Sequence, residues 1–265
     1  MPFVSQLSNG SPATISIHFG PKSMPSKNQR NSQKGQSPTA GQLAAKPKPL
    51  GLPSDVAAIR KEINAFFRSP DDKGRAVGNH KWGVYAFYDY DGEPIYVGQT
   101  FEGLSSRIGR HLTNQRTDAV AMNVLDPFEV AEIRVWPFDL SSMSLGEQRE
   151  YLDRAEYTVL QQVIRESKLG EVLNEKRPRG QDPIELPKSY SKRIIPDSIY
   201  PHRKHPDIRI ARRASTIASL ARVISERKVS KGLRTTLLTQ ARRLELLAKE
   251  RLKDFPDSEE DRDQD

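Results

Sequence analysis

The chain has 265 residues, 35% hydrophobic and 29% charged, with a net charge of +8 at neutral pH. That suits one ordinary domain with tails, or two small ones, and a core forms only if part of the chain stays outside it. The lack of any cysteine excludes disulfides, thiolate zinc sites and cysteine nucleophiles, and the positive charge favours a polyanionic partner, usually nucleic acid.

Residues 1–52 are rich in Ser, Pro, Gly, Gln and Lys. Such a stretch buries too little apolar surface to offset its ordering entropy, and it reads as a disordered basic tail. A helix is predicted in "SDVAAIRKEINAFFRSP", where Val56, Ile59, Ile63 and Phe66 recur at helical spacing, Ser54 can cap the start and Pro70 lies past the end. The stretch "GVYAFYDYDGEPIYVGQT", Gly83 to Thr100, reads as two strands joined by the turn "DYDGEP". "LSSRIGRHLTNQR" reads as a helix with Ser105 or Ser106 near its start. A third strand is expected in "PFEVAEIRVWPF", with Val130, Ile133 and Val135 as its best strand formers. A long helix, "SLGEQREYLDRAEYTVLQQVIRES", then ends before Gly170, and "LGEVLNEKRPRG" forms an exit loop.

The expected fold class is therefore α+β: a small mixed sheet with flanking helices, in the order β-β-α-β-α, over residues 53–180. Residues 181–206 read as a basic proline-rich connector, where His202 and His205 show no metal-ligand spacing and can as well be loop residues. Residues 207–254 read as a helical hairpin broken near Ser230 to Gly232, and 255–265 as an acidic tail. No apolar run is long enough to span a bilayer and no signal-peptide pattern is present, so a cytoplasmic location is expected.

Several residue types carry chemistry. Arg107 and His111 are four apart and share a helix face. Glu156 sits among Leu152, Val159, Leu160 and Val163 at helical spacings, where a carboxylate is costly unless it is paired or holds a metal. Asn174 follows just beyond that helix. Together with Tyr85 and Tyr96 these groups could surround a phosphate: a carboxylate can hold Mg²⁺, an arginine can stabilise phosphoryl charge, and a tyrosine or histidine can take a proton from water. Each also has an ordinary reading, as core tyrosine, solvated Arg/His pair, snorkelling glutamate or loop asparagine.

Order and spacing decide between these readings. Gly83-Val84-Tyr85, Tyr96-Val97-Gly98, Arg107, Glu156 and Asn174 occur in that order, and the set resembles the catalytic domain of the GIY-YIG nuclease superfamily, with valine for isoleucine in both strand motifs. The phrasing of "LSSRIGRHL", "PIYVG" and "FFRSP" is most like its type II restriction branch. The resemblance implies that Tyr85 and Tyr96 line the site, Arg107 binds growing phosphoryl charge, Glu156 holds a single Mg²⁺ and Asn174 supports the site. It leaves the general base open between His111 and a tyrosine. Many members carry lysine after the second motif, where this chain has Gln99, so another group must polarise a tyrosine here.

The function so implied is a Mg²⁺-dependent endonuclease acting on double-stranded DNA, of the restriction or defence kind, as a homodimer if it cuts short palindromes. The alternatives are a structure-specific repair or recombination nuclease and a catalytically silent DNA-binding protein. From Pro201 to Lys253 there are 15 basic and four acidic residues, so the carboxy-terminal helices are expected to follow a phosphate backbone through Arg209, Arg212, Arg213, Arg242 and Arg243. The competing reading is a solubilising face on a hairpin that packs or dimerises.

Overall fold

The computed structural model describes residues 52–112, 124–174, 178 and 180–255. The expected tails, and the Thr113–Arg116 end of the predicted second helix, fall almost wholly outside these residues. Helix α1 (Ser54–Arg68) buries Ile63, Phe66 and Phe67. Strands β1 (Trp82–Tyr88) and β2 (Pro94–Thr100) form the expected hairpin, with Gly92 in its turn at φ 73°. Helix α2 (Leu104–Leu112), strand β3 (Glu132–Phe138) and helix α3 (Leu145–Glu166) follow. The β-β-α-β-α order is thus the observed one.

A fourth strand, β4 (Tyr190–Arg193), pairs with β3, giving the order β2-β1-β3-β4. Every ladder is antiparallel, so the sheet is small but not mixed. The strand alternation sorts the core into two layers. Val84, Ala86, Val97, Trp136 and Phe138 face α3, meeting Leu152, Ala155, Val159 and Val163. Tyr85, Phe87, Ile95, Ile133 and Val135 face the other way, toward α1, α2 and the carboxy-terminal helices.

Helix starts differ from expectation in instructive ways. Ser54 and Ser105 lie inside their helices, and at α2 the Gly103 carbonyl accepts the first bond, from Arg107 N at 3.0 Å. Ser144 does cap α3: its hydroxyl accepts from Glu147 N at 3.4 Å, while the Glu147 carboxylate accepts from Ser144 N at 2.8 Å. Residues Pro127–Glu129 form a single tight turn, so β3 starts at Glu132, and Val130 is buried just outside the strand.

The segment expected as a connector is part of the core. It supplies β4, buries Ile194 and Ile195, and ends in the short helix α4 (Tyr200–Lys204). His202 lies within α4, and His205 caps the next helix, its Nδ1 accepting from Asp207 N at 3.3 Å; neither is a loop residue. Helices α5 (Pro206–Glu226) and α6 (Lys231–Leu252) pack on each other as the expected hairpin.

Three of the five arginines expected as a phosphate-binding stripe are turned inward. Arg209, Arg213 and Arg243 are 1%, 6% and 3% exposed. All three donate to one oxygen of Asp89, at 3.2, 2.9 and 2.7 Å. The other Asp89 oxygen accepts from Asp91 N and Glu93 N and closes the β1–β2 turn. Glu129 adds a second buried carboxylate, 3.0 Å from Arg213 Nε. Arg212 pairs with Asp126 and Arg242 with Glu171. All five arginines pair with carboxylates outside the hairpin; for the buried three this is required, because buried guanidinium groups must find anionic partners. The hairpin belongs to the same compact unit as the sheet.

Candidate active site

Glycine at 98 is the keystone of the local geometry. Gly98 pairs with Tyr85 across the β1–β2 ladder, and the Tyr85 ring lies directly over it. A β-carbon at 98 would stand 2.6 Å from the Tyr85 hydroxyl oxygen and 2.9 Å from Tyr96 Cε1, so no other residue fits without displacing a ring. Gly83 plays the same part for α2: a β-carbon there would meet Leu104 Cδ2 at 2.7 Å. The two motif glycines therefore let the Tyr85 side chain and the start of α2 close onto the sheet.

Around Gly98 the strand and helix bring four side chains together. The Tyr85 hydroxyl lies 2.9 Å from His111 Nε2. The Tyr96 ring centroid is 6.3 Å from that of Tyr85 and 5.3 Å from that of His111. Arg107, one helical turn before His111, sets its guanidinium beside the Tyr85 hydroxyl. Burial, and then the neighbouring Tyr96, push the Tyr85 phenol well above its ordinary pKa, against the pull of Arg107. The phenol therefore stays protonated, and it can donate to His111 when Nε2 carries no proton. Burial lowers the pKa of Arg107, but Tyr85, Tyr96 and Glu156 outweigh this, and it stays a cation.

Glu156 approaches from the other face of the sheet, on α3. It is half-buried, among the fully buried Leu152, Ala155 and Val159. Burial and the neighbouring Asp153 carboxylate push its carboxyl up to about 7, against a hydrogen bond from Gln99 and the charge of Arg107. Among the described residues no cation lies within ion-pairing distance of it. This donor set fits a hard divalent cation, which takes oxygen ligands, keeps several waters and needs few protein carboxylates. No group of three or more His, Cys, Asp or Glu side chains suited to a metal occurs among the described residues, so such an ion would rest mainly on Glu156.

Asn174 stands apart from these groups. It is buried and spent on the backbone of β2, its Oδ1 accepting from Val97 N at 3.0 Å and its Nδ2 donating to Val97 O at 2.7 Å. Leu173 N donates to Ile95 O at 2.7 Å. Leu173 and Asn174 thus line the outer edge of β2 from Ile95 to Val97, next to Gly98.

Sequence reasoning missed two residues here. Gln99 appeared only as a missing lysine, yet its Nε2 donates to Asp153 Oδ1 at 2.6 Å across a separation of 54 residues. Asp153 precedes Glu156 by three residues, a spacing that puts both carboxylates on one side of α3 and was the available signal.

The arrangement can move a proton through a phenol–imidazole pair, hold an anion on a guanidinium and hold a cation on a carboxylate. No curated protein and no solved structure matches this chain. The family model of the GIY-YIG catalytic domain matches residues 81–168, about a third of the chain. That segment runs from the residue before β1 to just past α3, holding Tyr85, Tyr96, Arg107, His111 and Glu156 but not Asn174, and it is similar to a nuclease catalytic domain.

Proposed function

We propose that this chain is a Mg²⁺-dependent endonuclease that hydrolyses phosphodiester bonds of double-stranded DNA, with sequence-specific cutting of the restriction kind. The observation that carries the reading is the Tyr85–His111 pair, 2.9 Å apart over Gly98, with the Arg107 cation beside it and the Glu156 carboxylate across the strand edge. In this reading a water attacks phosphorus and the bond to the leaving sugar oxygen breaks. As the water attacks, its proton passes to the Tyr85 oxygen while Tyr85 gives its own to His111 Nε2. In this reading phenol and imidazole share the role: a phenol with a raised pKa is a poor base alone, but with an acceptor behind it the pair acts as one.

Arg107 binds the charge that grows on the phosphoryl oxygens. Tyr96 walls the site beside His111, and Asn174 keeps the β2 backbone straight up to Gly98. Glu156 would hold the Mg²⁺, which supplies further charge stabilisation at the scissile phosphate when bound. GIY-YIG nucleases generally use a divalent metal, which supports this assignment. Cutting at a short palindrome requires two such sites related by a dyad, hence a homodimer on DNA.

Incubation of the protein with supercoiled plasmid and Mg²⁺ tests the reading. Discrete linear fragments are expected, and none in EDTA. A smear would replace sequence specificity with unspecific cutting, cleavage of branched DNA alone would favour a structure-specific nuclease, and intact DNA of every form would overturn the reading.

A further inference from the structure

Gln99 lies immediately after Gly98, and its side chain crosses to the α3 face. Its Nε2 donates to Asp153 Oδ1 at 2.6 Å, which sets the amide beside the Glu156 carboxylate one turn further along α3. An amide nitrogen has two donors and can serve two acceptors at once. Being neutral, it holds two like charges side by side without cancelling either. The bond also links the strand that carries Gly98 directly to the helix that carries Glu156. Asp153 is exposed, and an exposed hydrogen bond contributes little to stability, so packing alone does not account for the contact.

We propose that Gln99 and Asp153 are positioning residues that set the Glu156 carboxylate for a divalent cation and keep the negative charge around it uncancelled. The proposal rests on the reading of Glu156 as the metal-holding residue. Gln99 fixes where the carboxylate points relative to the Tyr85 side of the site. Asp153 anchors Gln99 and adds a second negative charge nearby.

The test uses the full chain and Mn²⁺ as a probe, counted by electron paramagnetic resonance without DNA, with melting temperature recorded in EDTA. Wild type is expected to bind Mn²⁺ and Glu156→Gln to lose it. Gln99→Ala and Asp153→Asn should each weaken binding by about tenfold, the usual scale for a group that orients a metal ligand. Melting temperatures should barely change. If Glu156→Gln loses Mn²⁺ while Gln99→Ala and Asp153→Asn bind as wild type does, the positioning role is wrong and the metal site stands. If wild type binds no Mn²⁺, or Glu156→Gln binds it equally well, the assignment of Glu156 fails and the positioning role falls with it. A loss of melting temperature with unchanged Mn²⁺ affinity would make the contact merely structural.

Discussion

Two clusters of buried or half-buried charge occupy this molecule, and they are built on opposite rules. Around Asp89, three guanidinium groups meet the carboxylates of Asp89, Asp91 and Glu129, and each finds a partner at hydrogen-bonding distance. Around Glu156, two carboxylates meet a neutral amide, and Arg107 acts on Glu156 through space. A closed cluster satisfies itself and holds the fold together. An open one keeps charge in reserve, which costs stability and is of use only to a ligand. Both clusters hold carboxylates away from bulk water, and the difference lies in how completely their charges are matched.

Opening the closed cluster should give the largest change in stability. Asp89→Ala leaves three buried guanidinium groups short of an acceptor and removes the lock on the β1–β2 turn. A loss of ~3–5 kcal/mol is expected, read by urea unfolding. A loss below ~1 kcal/mol would mean that the cluster is not the structural clasp described above.

Filling the space under Tyr85 tests the other cluster sterically. Gly98→Ala places a methyl group 2.6 Å from the Tyr85 hydroxyl and must move the ring off His111. It should destabilise the protein by ~1–3 kcal/mol, with a much larger loss in turnover than in DNA affinity. Equal losses in both would point to general misfolding rather than a displaced proton path.

Glu156→Gln should act on stability in the opposite direction from Asp89→Ala. The folded state holds the Glu156 proton up to about pH 7, against an ordinary value of 4.5. Wild-type stability therefore falls as pH rises between these values, because the folded state binds more protons than the unfolded one. The glutamine variant escapes this. In metal-free buffer it should be more stable by ~1–2 kcal/mol above pH 7, after allowance for partial exposure. The gap should close toward pH 4.5. Thermal melts in EDTA at pH 5 and pH 8 would show it, and an equal gap at both would place the effect elsewhere than in the charge.

The same contrast explains what was legible in the sequence. Tyr85, Tyr96, Arg107, His111 and Glu156 stand close to their motifs, and the spacing of strand and helix residues placed them. The hairpin and the long helix carried strong local periodicity. Partners far apart in sequence were not legible. Arg209, Arg213 and Arg243 looked like a phosphate-binding stripe because their acceptor, Asp89, lies 120, 124 and 154 residues away. Strand β4 is only "YSKR", too short and polar to show a pattern, and it is fixed by pairing with β3. Asn174 was placed correctly beyond α3, but its two bonds to Val97 depend on register that no local rule supplies.

The most direct test of the central claim compares cutting and binding in Glu156→Gln and Arg107→Ala, with supercoiled plasmid and Mg²⁺ for the one and duplex DNA in EDTA for the other. An uncompensated carboxylate that serves a metal predicts that Glu156→Gln loses ~10³-fold or more in cleavage while binding DNA as tightly as wild type or more so. Arg107→Ala should lose cleavage and also bind more weakly, since it removes a phosphate contact. Cleavage by Glu156→Gln at near the wild-type rate would contradict the account.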